Sequence, residues 1–270
     1  MMTLKKSQSI CREFGFTNWL TLPNASPKLI KSNGMGYYNA GIGLAQANLS
    51  EVNNCTASTP DCRKLCLGNF GRAEFLPQLM QTRINRSNFL HRHRQLAWQT
   101  MLPQLMAIDR RATRNGLTVA FRPDITSDKN WDLILPQLFA TFPNWKFYGY
   151  TKLRSKITRY LNGSNPMVPT FSWSERLKSK LVNHTSGDDY PSFLLENGIN
   201  IAVVFYDRKT LAGRLPRKFL GRTVIDGDKH DLRFLDPRGV IVGLKPKLPK
   251  SKVKARQLVD SLNGFFVSIG

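Results

Sequence analysis

The chain has 270 residues, enough to bury a large core, and 41% of them are hydrophobic, which is usual for a globular protein. No apolar run approaches the roughly 18 residues of a membrane span, and no apolar stretch follows Lys5 and Lys6 near the N-terminus. We therefore expect neither a membrane protein nor a secreted one, but a cytoplasmic protein whose four cysteines are thiols or ligands rather than disulfides.

Charge is the most unusual bulk property of the sequence. Lys and Arg outnumber Asp and Glu by 40 to 18, which gives a formal net charge of +22. Such an excess creates a positive field that attracts polyanions, so nucleic acid is the partner that we expect. The competing interpretation is a generic positive surface without a dedicated partner. The basic residues concentrate in stretches 83–94, 110–114, 152–159, 214–222 and 245–256.

In chain order, residues 1–30 carry Gly, Pro, Asn and Ser and predict an irregular lead-in. A single α/β domain is expected to follow over residues 31–270. It opens with a glycine-rich stretch, 34–43, which indicates a strand that runs into a loop, because glycine allows close approach of the backbone. Residues 53–68 then predict a cysteine-rich loop, since turn-forming residues occur throughout it.

A long helical region is predicted over residues 72–115. Apolar side chains recur there at three- and four-residue spacing, and Gly116 follows as a usual helix stop. Pro77 and Pro103 are expected to divide this region into shorter helices, because proline disrupts a helix interior.

Short apolar strands then alternate with helices. This alternation is typical of βαβ units and a parallel sheet. Six or more such strands predict a full or partial parallel β/α barrel similar to a TIM barrel, with a doubly wound sheet as the alternative. The predicted strands are 117–121, 146–150, 167–173, 199–206, 222–225 and 240–244, and the predicted helices are 130–142, 153–161 and 192–197.

Polar or charged side chains follow most of these strands. In parallel α/β folds, ligands bind at the carboxyl ends of the strands, so we expect these side chains to share one face. The alternative is that Asp, Ser and Thr occur there only as helix caps. The candidate catalytic residues on this face are Arg122, Asp124, Lys152, Glu175, Asp226 and Asp228.

Cys55, Cys62 and Cys66 form a C-x6-C-x3-C motif in the turn-rich loop. Thiolates are soft ligands that suit iron–sulfur clusters and zinc. A closed structural zinc site needs four protein ligands, and three leave one coordination position open. We therefore predict a metal centre on these three cysteines. The pattern favours a 4Fe-4S cluster with one iron free for a substrate over a zinc ion completed by a distant residue.

The cysteine segment 55–68, with Arg83 and Asn85 after it, resembles the bacteriophage gene product 88 family. The resemblance covers about residues 30–247 and includes the later blocks 122–124, 150–152, 226–231 and 242–245. A phage origin implies the host cytoplasm as the location of the protein.

A cysteine-rich loop followed by an α/β chain is also similar to the radical S-adenosylmethionine barrel enzymes. This similarity implies an iron–sulfur cluster and S-adenosylmethionine as a second cofactor. The motif nevertheless differs from the C-x3-C-x2-C spacing that is usual in that superfamily.

Two functions follow from these patterns. The first is an enzyme in which the cluster and the strand-end residues act on a nucleic acid or a nucleotide. The second is a nucleic-acid-binding module in which a structural zinc ion only fixes a loop. A host-interaction protein with a vestigial site is a third interpretation.

Overall fold

The computed structural model of the chain describes residues 2–25, 27–32, 34–66, 76–177 and 189–269. These ranges contain ten strands and ten helices. The strands are β1 (Leu20–Thr21), β2 (Tyr37–Ile42), β3 (Thr118–Arg122), β4 (Lys146–Thr151), β5 (Val168–Ser172), β6 (Asn200–Tyr206), β7 (Lys218–Phe219), β8 (Arg222–Asp226), β9 (Ile241–Leu244) and β10 (Phe266–Ser268). The helices are α1 (Leu4–Glu13), α2 (Pro27–Ile30), α3 (Pro60–Lys64), α4 (Pro77–Arg92), α5 (Arg94–Arg114), α6 (Trp131–Ile134), α7 (Pro136–Thr141), α8 (Arg154–Leu161), α9 (Tyr190–Glu196) and α10 (Lys252–Asp260).

All ten strands belong to one sheet, in the order β1-β2-β3-β4-β5-β6-β9-β8-β7, with β10 added beside β6. Every pair from β2 to β8 is parallel, whereas β1 and β7 are antiparallel strands at the two edges. The predicted mixed α/β class with a parallel sheet is therefore confirmed. Among the described residues the sheet is not closed, so a barrel is not confirmed.

The two faces of the sheet have different coverings, because side chains alternate between faces along a strand. Phe121 and Phe147 pack in the main core together with side chains of α1, α4 and α5. Ala120 and Tyr148, their neighbours in sequence, belong to a separate cluster with Leu232. The connection between β8 and β9 therefore covers the face of the sheet that is opposite to these helices.

The N-terminal segment is not an irregular lead-in, because α1 forms ten of its residues. Thr3 caps this helix by accepting a hydrogen bond from a backbone N–H of the first turn. The helix buries Ser7 and Cys11 rather than large apolar side chains, so its apolar stripe is too weak to be recognised in the sequence. The Ser7 hydroxyl donates to the carbonyl of Thr100 (2.6 Å) and ties α1 to α5.

The predicted helical region contains two helices that meet at His93, and neither proline divides it. Pro77 is the first residue of α4, where its missing N–H has no intrahelical partner to lose. Pro103 lies inside α5. The predicted helix 130–142 is instead split before Pro136 into α6 and α7, since the residue before a proline disfavours the helical conformation. Residues 72–75 lie outside the described ranges.

The described chain contains no helix with both the length and the apolar character that crossing a membrane requires.

The main core yields a matched pair of stability predictions. Leu105→Ala in α5 removes a fully buried side chain, and we expect the free energy of unfolding to fall by roughly 2–5 kcal/mol because a cavity remains. Leu133→Ala makes the same change at a side chain that is 61% exposed, and we expect a change within about 0.5 kcal/mol. Urea denaturation measures both, and equal losses would contradict this assignment of the core.

Candidate functional site

A cavity of about 250 Å³ opens at the carboxyl ends of the parallel strands. The ends of β3, β4 and β5 contribute Arg122, Thr151 and Ser172 to its wall, and Gly227 follows β8. Because parallel strands bring their carboxyl ends to the same edge of a sheet, this is the edge at which α/β proteins bind ligands.

Four of the six candidate strand-end residues line this cavity: Arg122, Asp124, Lys152 and Asp228. Glu175 and Asp226 do not belong to the described lining. The expectation that strand-end side chains share one face is therefore met by residues that follow three different strands.

The cysteine loop forms another wall of the same cavity, since Cys55, Cys62 and Cys66 all line it. Burial raises the pKa of the Cys55 thiol to about 12, and the nearby carboxylate of Asp128 adds to this effect. Within residues 2–66, 76–177 and 189–269, apart from 26 and 33, no three or more His, Cys, Asp or Glu side chains are arranged to hold a metal ion. The three thiols thus share a cavity without meeting at one point.

Glu175, which follows β5 in the chain, anchors the cysteine loop. Its carboxylate accepts hydrogen bonds from the Thr59 hydroxyl (2.7 Å) and the Asp61 backbone N–H (3.1 Å), both at the start of α3. Asp61 in turn accepts from the backbone N–H of Asn263 (2.6 Å), just before β10. The helix that carries the second cysteine is therefore held between the end of β5 and the C-terminal strand.

Asp124 is the acceptor at the centre of a buried network. Lys156 Nζ lies 2.8 Å from Asp124 Oδ2 and 2.9 Å from Asp128 Oδ1. Asp124 Oδ1 also accepts from Ser127 Oγ (2.7 Å) and Trp131 Nε1 (2.8 Å). Burial acts to lower the pKa of Lys156, but the two carboxylates outweigh it and raise that pKa. With its oxygens occupied, Asp124 is suited to fixing the loop after β3 rather than to transferring protons.

Arg122 forms a buried ion pair with Asp231. Its Nη1 lies 3.0 and 2.9 Å from the two carboxylate oxygens, and its guanidinium carbon is 4.7 Å from the centre of the Tyr150 ring. Tyr148 Oη is within hydrogen-bonding distance of Asn39 Oδ1 (2.8 Å) and Asp231 Oδ2 (3.2 Å). Although burial acts to lower the pKa of Arg122, Asp231 raises it overall, so the guanidinium stays charged.

Lysines surround Asp228 at the mouth of the cavity. Its carboxylate accepts from the Lys245 backbone N–H (2.9 Å) and lies 3.3 Å from Lys247 Nζ, while Lys31 Nζ donates to its carbonyl (2.6 Å). Asp226 Oδ1 accepts from the Asp228 backbone N–H (2.9 Å) and so shapes the turn without reaching the cavity. All three lysines line the cavity and make its mouth positive.

Several of these residues could not be recognised as site residues in the sequence. Asp231 lies in the block 226–231 that carries the family resemblance, which was the available signal for it. Lys245 and Lys247 belong to a basic stretch whose position in the fold was unknown. Lys156 belongs to another such stretch, 152–159, whereas Lys31 gave no signal, because its partner is distant in sequence.

Of two neighbouring arginines of α4, Arg83 and Arg86, the first lies near the third cysteine. Burial lowers the pKa of Arg86 to about 10, and the charge of Arg83 lowers it further. Burial also lowers the pKa of Arg83, while the electrostatic influence of Cys66 acts in the opposite direction. In the part of the chain that the structure describes, Arg83 Nη1 and Arg86 Nε are buried without a hydrogen-bond partner. Arg83 therefore places positive charge beside the cysteine loop.

Comparison with known proteins gives one match. The family model described as gene product 88 matches residues 19–260. No curated protein and no solved structure matches the chain. These comparisons do not support the expected similarity to radical S-adenosylmethionine enzymes. An iron–sulfur cluster and nucleic-acid binding also stay predictions.

The Lys156 network leads to a second stability prediction. Lys156→Met removes the cation from between the buried carboxylate of Asp124 and the partly buried one of Asp128, so we expect the free energy of unfolding to fall by roughly 3–5 kcal/mol. Lys146→Met is the matched control, since Lys146 is exposed at the start of β4, and its effect should stay within about 0.5 kcal/mol. Chemical denaturation of both variants tests this, and similar losses would count against a structural role for the network.

Proposed function

The chain belongs to the bacteriophage gene product 88 family, and we propose that it is a metal- or iron–sulfur-dependent enzyme acting on a nucleic acid or a nucleotide. One observation carries the proposal: Cys55, Cys62 and Cys66 line the same cavity as the strand-end residues Arg122 and Asp228. A thiol cluster that served only to fix a loop would have no need to face the edge at which α/β proteins bind ligands.

The three cysteine thiols are of the chemical type that binds an iron–sulfur cluster. Thiolates are its usual ligands, and three of them would leave one coordination position open. When bound, such a centre supplies an electron and an open position for a substrate. Because the thiols do not meet at one point, binding requires the three side chains to move closer together. Arg83 would balance part of the negative charge of the bound thiolates.

The charges and rings around the cavity suit a substrate that carries phosphate and a base. Lys31, Lys245 and Lys247 line its mouth, and ammonium groups bind phosphate as point charges. Tyr150 and Phe265 line its walls, and nucleic-acid bases stack on aromatic rings. A nucleotide unit therefore matches this site better than an uncharged or purely apolar substrate does.

The candidate residues take different roles in this proposal. Lys152 and Asp228 both line the cavity, and we assign them contact with the substrate. Glu175 and Asp124 are positioning residues, because their carboxylates are occupied by the cysteine helix and by the Lys156 network respectively. Asp226 supports the turn that presents Asp228.

A second function, a nucleic-acid-binding module with a structural zinc ion, is favoured by a different observation. Helix α3 is anchored at its start by Glu175 and through Asp61 by Asn263. Such firm support of a cysteine helix is what a structural metal site requires, and the net charge of +22 would serve binding alone.

Metal analysis of anaerobically purified protein tests the proposal. We expect the wild type to contain iron and to show the broad visible absorbance of an iron–sulfur cluster. Cys55→Ala, Cys62→Ala and Cys66→Ala should each abolish most of both signals, because each removes a ligand. Cys11→Ala is the matched control, since Cys11 is buried in the main core and should leave the iron content unchanged.

The metal that is found separates the two functions. Zinc in place of iron, lost from the same three variants, would support the binding module instead. Wild-type protein that holds neither metal, even after reconstitution with iron and sulfide, would refute both.

A further inference from the structure

We infer that the partner of this site is a nucleic-acid strand that runs along one exposed basic surface and turns a base into the cavity. This surface, the basic rim, consists of the exposed Lys and Arg side chains of residues 208–222 and 245–256. The inference rests on the proposed function to the extent that the cavity is where the reaction takes place. It goes further by naming a polymer rather than a free nucleotide, and by giving its path.

Both stretches of the basic rim carry positively charged side chains and no negatively charged ones. Residues 208–222 and residues 245–256 each contain six Lys or Arg residues and no Asp or Glu. Lys250, Lys252 and Lys254 are all exposed, and they form no ion pair with the described part of the chain. Their charges are therefore available to an external polyanion, whereas most cations around the cavity already have carboxylate partners.

The two stretches form one continuous surface. A Cβ atom on Gly213 would lie only 2.4 Å from Lys245 Cβ, so the backbone of the first stretch packs directly on the second. Arg256 donates from Nη1 and Nη2 to the carbonyls of Arg208 (2.6 Å) and Lys209 (2.7 Å). These contacts hold the two sets of cations side by side, as repeated contacts with a phosphate backbone require.

The basic rim continues into the cavity. Lys245 and Lys247 belong to the rim and also line the cavity. Further in, the ring of Phe265 lies on the wall with Lys152 Nζ 5.1 Å from its centre. A single strand offers both phosphates for the rim and a planar base for the ring. An acidic protein lacks the base, and a membrane surface has no single group of this shape to insert.

Neutralising the rim outside the cavity tests the inference. The triple variant Lys250→Gln, Lys252→Gln and Lys254→Gln is compared with wild type for binding of a labelled single-stranded oligonucleotide across a salt series, by fluorescence anisotropy. Each phosphate contact on a single strand contributes about 0.7 to the slope of log affinity against log salt. We therefore expect the magnitude of this slope to fall by about 2, with weaker binding at low salt.

The matched control removes the same charge elsewhere. Lys5→Gln, Lys6→Gln and Arg12→Gln change exposed residues of α1 that do not line the cavity. The control triple should keep the wild-type slope. If both triples weaken binding equally, the protein has only a general positive field and the inference is wrong. The inference is also wrong if the rim variant loses binding to anionic vesicles but keeps its binding to the oligonucleotide. It is likewise wrong if a nucleoside triphosphate competes for binding as effectively as the oligonucleotide does.

The base-stacking part of the inference has its own readout. Phe265→Leu should weaken binding of an ordinary oligonucleotide about fivefold or more, but should leave binding of an abasic one unchanged. Equal effects on the two ligands would overturn the insertion of a base.

Iron measured on the same samples keeps this inference separate from the proposed function. The rim variant should retain its iron. If protein without any metal still binds the oligonucleotide through the rim, the inference stands and the proposed enzyme fails. If the protein contains iron but its binding does not depend on the rim, the inference fails and the proposed enzyme stands.

Discussion

The buried ion pair between Arg122 and Asp231 is the interaction on which the cavity depends. Arg122 ends β3, whereas Asp231 belongs to the connection between β8 and β9 near the other end of the parallel sheet. The pair thus draws this connection across the face of the sheet that is opposite to α1, α4 and α5, and Tyr148 and Asn39 extend the same network. Because an unpaired buried charge costs several kcal/mol, neither partner can leave without the other.

The other walls of the cavity depend on polar contacts of the same kind. The loop after β3 is fixed by Lys156, and the cysteine helix is fixed by Glu175 and, through Asp61, by Asn263. Charged residues here serve mainly to hold loops in place, which leaves few of them free to react. Under the proposed function, the thiols and the cations at the mouth of the cavity would carry the chemistry.

The sequence predicts the interior of this fold better than its edges. Six strands match the predicted runs to within one residue at each end, because most of these parallel strands are buried and therefore apolar along their length. Whether the sheet closes could not be inferred, because closure depends on the strands that flank β2 and β8. These are β1 and β7, which are only two residues long and leave too short a pattern to recognise in the sequence. That strand-end residues share one cavity could be predicted, because the carboxyl ends of parallel strands lie at one edge of the sheet. The structural roles of Asp124 and Glu175 could not be predicted, because each depends on a partner far away in the chain.

The anchoring of α3 by the chain just before β10 has a consequence for biosynthesis. Asp61 and Asn263 are separated by 202 positions, so the cysteines leave the ribosome long before the residue that secures their helix. During that interval the thiols belong to a nascent chain whose cavity is not yet built. A centre on these cysteines would therefore gain its full support only after residue 263 has been made, and a chain released before that point would carry all three thiols without the contact that secures their helix.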